Sequence, residues 1–364
     1  MKISQILSEL DDYAPLSLQE SYDNSGLQVG DISQEVRGIL LCLDVTEEVV
    51  EEAIGLDCNL IISHHPLLFK PLKKLTGKTY VERCVIKACK HDIVIYASHT
   101  NMDNASGGVN HHLAKKIGLQ NVRILSPKKD CLLKLVTFVP EAQAETVRNA
   151  LFKAGAGQIG NYDSCSFNAS GSGTFRAGEE AHPYVGNINE LHTEPEIRIE
   201  TIVPSYKKSA VLQALSAVHP YEEPAYDFYS LENDWMQAGS GVVGELPYSK
   251  DEASFLQKLK TVFGLKTLKH SPFTGKQIRK VALCGGGGAF LIPEAISCGA
   301  DIFITGEAKY NDYYDVENRI LLAVIGHYES EVATKEIFYD IITKKITNFA
   351  VHFSTVNTNP VNFM

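Results

Sequence analysis

The stretch "CNLIISHHP" (58–66) decides how this chain is read. It opens as an apolar run without polar alternation, the pattern of a β-strand covered on both faces, as in α/β sheets. Two histidines and a proline then close it. Neighbouring residues of a strand point to opposite faces, so His64 and His65 reach one site only where the strand has just ended. Pro66 keeps His65 out of helical geometry and favours that exit. Ligand sites in open α/β sheets lie outside the carboxyl ends of the strands, which makes this pair a candidate site.

The same grammar surrounds it. "GILLCLDV" (38–45) reads as a strand, and "TEEVVEEAIGL" (46–56) as a helix with a Thr cap and an acidic first turn. A helix over "TYVERCVIKACKHD", a strand over "IVIYASH" (93–99) and a helix over "VNHHLAKKIGL" follow. The last third repeats the alternation. Strands are read at 278–285, 301–307 and 319–327, and helices over "GAFLIPEAISCGA" and 329–345; "NFAVHFS" is expected to be an edge strand. The expected fold class is α/β, with mixed sheets covered by helices.

The middle differs. A strand at 133–140, a helix, a turn-rich hairpin over "NYDSCSFNASGSGTFRAG", a strand at 196–204, a helix and a strand over "AYDFYSL" give β-α-β-β-α-β, the ferredoxin-like order. We therefore expect an insert over 129–236 that interrupts one α/β domain made of 1–128 and 237–364. Exposed loop tips tolerate such insertions.

The formal net charge of −10 argues against unspecific binding to nucleic acid, which needs clustered Lys and Arg. "KPLKKLTGK" (70–78) reads as a solvated loop. Eight scattered cysteines without a CxxC pair read as buried thiols of a reducing compartment. The start "MKISQILSELDDY" is amphipathic and acidic, unlike a signal peptide, and no apolar stretch approaches the roughly 18 residues of a membrane span. A cytoplasmic protein is the expectation.

Three strand ends carry candidate ligands: His64–His65, His99–Asp103, and His327 with Glu331 four residues on. An i, i+4 pair shares one helix face, as in helices that present two metal ligands. Their coincidence at equivalent places points to a shared metal site. Imidazole and carboxylate without thiolate suit Zn, Mn, Fe, Co or Ni. So many donors exceed the need of one tetrahedral ion and fit two ions about 3.5–4 Å apart.

Other stretches are less specific. "CGGGGAF" (284–290) departs from GxGxxG at Phe290 and reads as a tight βα turn or a phosphate cradle. "ESYDNSGLQVGD" (20–31) reads as an Asx turn or a loop lining the site. "HPYEEPAYDFY" (219–229) gathers His219, Glu222 and Glu223, a set with metal-ligand chemistry, and reads as a solvated turn before an aromatic strand.

"SYDNSGLQVG", "SHHP", "HTNMDNASGGVN", "ADIFITGEAKY" and "GHYESE", in this order, resemble the GTP cyclohydrolase I type 2 homologues, the Nif-three-like dinuclear metal proteins. The middle segment is similar to the CutA-like or PII-like insert of the longer bacterial members. The resemblance implies two divalent ions per subunit on His64, His65, Asp103, His327 and Glu331, with Glu331 bridging, and leaves His99 outside the ligands as a proton carrier. It implies a ring-like homohexamer, a trimer of dimers. It also implies metal-dependent hydrolysis of a purine-type or other small substrate, as in attack on C8 of the guanine ring of GTP with loss of formate. Tyr22, Asp23, Asn24, Gly286, Gly287 and Glu307 are then candidates to line the substrate cavity. Where related members often read "KYHD", this chain has Asn311, which cannot shuttle protons at neutral pH. The alternative is a non-enzymatic metal-binding scaffold or regulator whose insert takes a small molecule or a partner.

Overall fold

The computed structural model describes residues 1–346 and 349–364, and the chain divides into two compact units, Met1–Pro127 with Gln237–Met364, and Lys128–Met236. In the larger unit the strand Leu60–Ser63 is buried at every position. It lies third in a five-stranded sheet ordered Gly26–Val29, Val94–Ala97, Leu60–Ser63, Gly38–Cys42, Ala350–Phe353. The last four run parallel, and Gly26–Val29 closes one edge antiparallel. Leu40, Ile61 and Ile95 pack with Val49, Ala53, Cys84 and Ala88 from the helices Glu47–Gly55 and Tyr80–Lys90. The alternate set Ile39, Leu41, Leu60 and Ile62 is equally buried, so both faces of the sheet are covered, as the unbroken apolar strands require.

Local signals set the helix ends. Thr46 and Thr79 cap their helices by accepting from the Val49 and Glu82 amides. Gly118, in the left-handed region at φ 82°, stops Val109–Ile117.

A second sheet of six strands is ordered Lys269–His270, Leu321–Val324, Ile302–Thr305, Gln277–Cys284, Trp235–Asp251, Gln120–Lys128. Gln277–Cys284, Ile302–Thr305 and Leu321–Val324 are parallel in register, and their carboxyl ends all lie at one edge.

Several sequence expectations are corrected here. The single helix expected over 329–345 is two, His327–Glu331 and Thr334–Lys345, so His327 begins a helix instead of ending a strand. "GAFLIPEAISCGA" is a 3₁₀ turn, Gly288–Leu291, followed by the short helix Ile292–Ser297. "LQV" within 20–31 belongs to the edge strand Gly26–Val29. The final strand is Ala350–Phe353 at the sheet edge; Asn348, the first residue of its expected span, lies outside the described residues.

The smaller unit runs β-α-β-β-α-β. Its strands Leu132–Pro140, Ser166–Arg176, Leu191–Pro204 and Tyr226–Leu231 alternate with the helices Ala144–Lys153 and Lys208–Val218. All pairings are antiparallel, in the order Ser166–Arg176, Leu191–Pro204, Leu132–Pro140, Tyr226–Leu231. Leu135, Val139, Ile199 and Val203 meet Val147, Leu151, Val211 and Leu215 of the helices in its core. The stretch expected to be a turn-rich hairpin is instead one long strand, paired over Ser166–Arg176 with Thr201 back to Leu191. Its serines and glycines suggested turns, but the full antiparallel ladder overrides that local preference. Among the described residues no helix is long and apolar enough to cross a membrane.

The central strand supplies a stability test. Ile61 is fully buried, so Ile61→Ala is expected to cost about 2–5 kcal/mol, read as a lower midpoint in urea unfolding of the larger unit. A shift equal to that of an exposed-site alanine variant would contradict this packing.

Candidate metal centre

The site lies at the carboxyl edges of both sheets of the larger unit. Backbone pairing persists just beyond the strand Leu60–Ser63: His64 N–H donates to Cys42 O at 3.3 Å and His65 N–H to Leu43 O at 2.9 Å. The pair is therefore held at a fixed height above its neighbours before the chain turns away at Pro66. His64 Nδ1 lies 2.9 Å from the Ser98 carbonyl. Only a protonated Nδ1 can donate there, which leaves the Nε2 lone pair turned inward. His65 repeats this with Nδ1 at 2.7 Å from Asp44 Oδ1. Asp44 in turn accepts from the Thr358 hydroxyl at 2.6 Å.

Glu331 is the hinge of the arrangement, with only 3% of its side chain exposed. Its Oε2 lies 2.9 Å from both His65 Nε2 and His327 Nε2, while its Oε1 lies 3.7 Å from His64 Nε2. His64 Nε2 is also 3.6 Å from Asp103 Oδ1. Two donor groups result, His64–Asp103–Glu331 and His65–His327–Glu331, each with its ligand atoms within 4.8 Å of one another. The carboxylate thus offers one oxygen to each group.

The buried atoms fit a metal. His64 Nε2 and Asp103 Oδ1 are both withdrawn from water and have no hydrogen-bond partner, a costly state for polar atoms unless a cation lies between them. The donors are imidazole and carboxylate, which suit divalent transition ions.

Charge follows the geometry. Burial alone would raise the Glu331 carboxyl, but His327, His64 and His65 hold it well below the ordinary carboxylate range. Burial disfavours the His65 charge, yet the hydrogen bonds to Asp44 and Glu331 outweigh it and push His65 up to about 10. Burial lowers His64. Burial, reinforced by the charge on Glu331, pushes Asp103 well above the usual range.

The remaining candidates take distinct places. His99 closes a third group with His64 and His65, its ring centroid 5.3 and 5.4 Å from theirs. Its Nδ1 is held at 2.7 Å by Asp23. The side chain of Asp23, a candidate to line the substrate cavity, is withdrawn from solvent and turned to His99. Besides His99 it binds the Asn24 and Thr100 amides and the Ser25 and Thr100 hydroxyls. Asn24 ties this loop to the Leu68 carbonyl. Tyr22 stays largely exposed, and partial desolvation of its phenol with the charges of Glu20, Asp23 and Asp103 raises its pKa. Glu307 Oε1 lies 3.1 Å from His327 Nδ1. Asn311 is exposed ahead of the short helix Asp312–Asp315.

The glycine turn is not an open phosphate cradle at three of its four amides. Gly285, Gly286 and Gly288 donate to Asn110, Ser330 and Thr305 side chains. Gly286 has another role. It sits at φ +56°, and a Cβ there would lie 2.2 Å from Glu331 Oε1, so only glycine leaves room for the carboxylate. Sequence reasoning missed Asp44 and the part Asp23 plays. The signal of Asp44 in the sequence is its place in "GILLCLD", two residues past the neighbouring strand Gly38–Cys42.

The chain belongs to the Duf34/NIF3 (NGG1p interacting factor 3) family, whose model matches residues 1–360. A relative from Halalkalibacterium halodurans, named GTP cyclohydrolase 1 type 2 homolog, is 37% identical over the whole of both chains. One of the same name from Listeria monocytogenes is 40% identical over 96% of this chain and 95% of its own. The crystal structure of a Bacillus cereus protein related to NIF3 superposes with a TM-score of 0.88 at 38% identity, covering 100% of this chain and 99% of that one.

Two outcomes follow. Gly286→Ala should displace the Glu331 carboxylate and lower bound metal in elemental analysis. Gly287→Ala, where a Cβ meets nothing within 4 Å, should leave it unchanged; equal metal in both variants would contradict the fit. Metal must also displace protons, because His65 and Asp103 hold them above their ordinary pKa values and ligate only without them. Affinity should therefore rise with pH, and calorimetry near neutral pH in buffers of different ionisation enthalpy should show net proton release.

Proposed function

We propose that this protein is a metal-dependent hydrolase with a dinuclear centre, held by His64 and Asp103 on one side, His65 and His327 on the other, and Glu331 between them. The observation that carries the reading is the buried Glu331 carboxylate, whose two oxygens face different donor groups. Two divalent ions bound there would supply a Lewis acid and would lower the pKa of water to near neutrality.

The residues around them supply orientation and proton traffic. Asp44 and the Ser98 carbonyl fix the tautomers of His65 and His64. Asp23 fixes His99 through Nδ1, which leaves Nε2 to take a proton from the reacting group and return it to the leaving group. Glu307, beside His327, and the exposed Tyr22 stand ready for the polar edge of a small substrate. The name carried by the relatives makes GTP the first substrate to test. The β-α-β-β-α-β order and fully antiparallel sheet of Lys128–Met236 support a ferredoxin-like insert of the CutA-like or PII-like kind. We take the protein to act in the cytoplasm as a homo-oligomer, with a hexamer the form the family resemblance favours.

Metal-loaded protein is expected to release formate from GTP, measured by coupled formate dehydrogenase. Glu331→Ala should lose most of its metal and at least about 100-fold in rate, since the loss of one metal-site partner alone costs 10–100-fold. Full metal retention in Glu331→Ala would sink the bridging role. A wild type inert toward GTP but active on another small ester or amide would replace the substrate and keep the hydrolase.

A further inference from the structure

Past the last strand, Ala350–Phe353, the segment "STVNTNP" (354–360) has no regular structure, yet it is bonded along its length. The Ser354 amide donates to Leu41 O at 2.8 Å. The Ser354 and Thr355 hydroxyls both donate to Glu52, as does the Thr355 amide at 2.8 Å. Val356 packs against the apolar cluster that holds Val45 and Val49. The Asn357 side chain accepts from the Asn359 amide at 3.1 Å, an Asx turn, and Pro360 keeps Asn359 out of helical geometry.

That turn sets Thr358 and Asn359 against the neighbours of one donor group. Thr358 donates its hydroxyl to Asp44 Oδ2 at 2.6 Å, while Asp44 Oδ1 accepts from His65 Nδ1 at 2.7 Å. A carboxylate bonded at one oxygen still turns about its last, broad torsion; bonded at both, its plane is fixed. The Asp44 side chain is 34% exposed, so without Thr358 water would compete for it. Asn359 donates from Nδ2 to Glu329 Oε1 at 3.0 Å. Glu329 lies in the helix His327–Glu331, two residues from each candidate ligand. Its other oxygen occupies room that glycine leaves, since a Cβ on Gly326 would lie 2.1 Å from Glu329 Oε2.

Consecutive residues of one segment therefore brace the surroundings of both His65 and His327. The Nε2 atoms of these two imidazoles are 3.3 Å apart, and both face Glu331 Oε2. His64 is fixed separately, by the Ser98 carbonyl.

We propose that Thr358 is a positioning residue for an ion on His65 and His327, and that docking of 354–359 and filling of that site stabilise each other. The inference rests on the metal centre proposed above and not on the hydrolase or its substrate. An Asp44 carboxylate fixed by Thr358 holds the His65 ring in the tautomer and plane that turn Nε2 to the ion. Linkage requires the reverse as well: an ion that orders His65 favours the contact between Asp44 and Thr358.

Zinc titrated into the metal-free, full-length protein in competition with a chromogenic chelator measures each affinity. Thr358→Val removes the hydroxyl at nearly constant shape and should weaken one ion about tenfold or more, leaving the other unchanged. Thr358→Ser should restore the wild-type value. Wild-type affinities in Thr358→Val, equal weakening of both ions, or no restoration by Thr358→Ser would overturn the proposal. A wild type that takes a single ion would refute the dinuclear reading, and the same comparison of variants on that ion would still decide the role of Thr358. Hydrogen exchange over 354–359 should slow on zinc loading in the wild type and not in Thr358→Val. No slowing in the wild type would contradict the coupling.

Discussion

A carboxylate withdrawn almost completely from water is the constraint around which the larger unit is organised. Glu331 is 3% exposed and stays ionised only because three imidazoles from two sheets converge on it. Removing a charge from water costs several kcal/mol even after relaxation, so each of those partners must be held in place. The parallel strands provide the height, Asp44 and the Ser98 carbonyl provide the orientation, and Gly286 provides the room. The requirement reaches to the far end of the chain, where Thr358 secures Asp44.

Two neighbouring histidines reach one carboxylate without pointing the same way. His64 and His65 continue the pairing of their strand for two residues and therefore still diverge. The divergence sends them to opposite oxygens of the same carboxylate, His64 towards Oε1 with Asp103, His65 towards Oε2 with His327. Adjacency in sequence becomes a short, fixed spacing between two donor groups.

Much of this was legible in the residues. The α/β class followed from apolar strands such as "NLIIS", and the strand ends announced their histidines because polar side chains are out of place at the close of a buried run. What stayed hidden depended on contacts remote in sequence. Nothing near Asp23 reveals that it faces inward to His99, 76 residues on. Nothing in the Gly285–Gly288 turn announces that its amides are spent on Asn110, Ser330 and Thr305. The strand Ser166–Arg176 departs from the expected hairpin for a related reason: local Ser and Gly preferences point to turns, whereas its extended form is imposed by an eleven-residue ladder with Leu191–Pro204.

In the function proposed above, the Glu331 carboxylate would join two ions. Electron paramagnetic resonance of the protein loaded with Mn(II) tests it most directly, because two ions sharing a carboxylate are exchange-coupled. A coupled-pair spectrum is expected, with more hyperfine lines at roughly half the usual splitting, once metal reaches saturation. The six-line signal of isolated Mn(II) at every loading would contradict it.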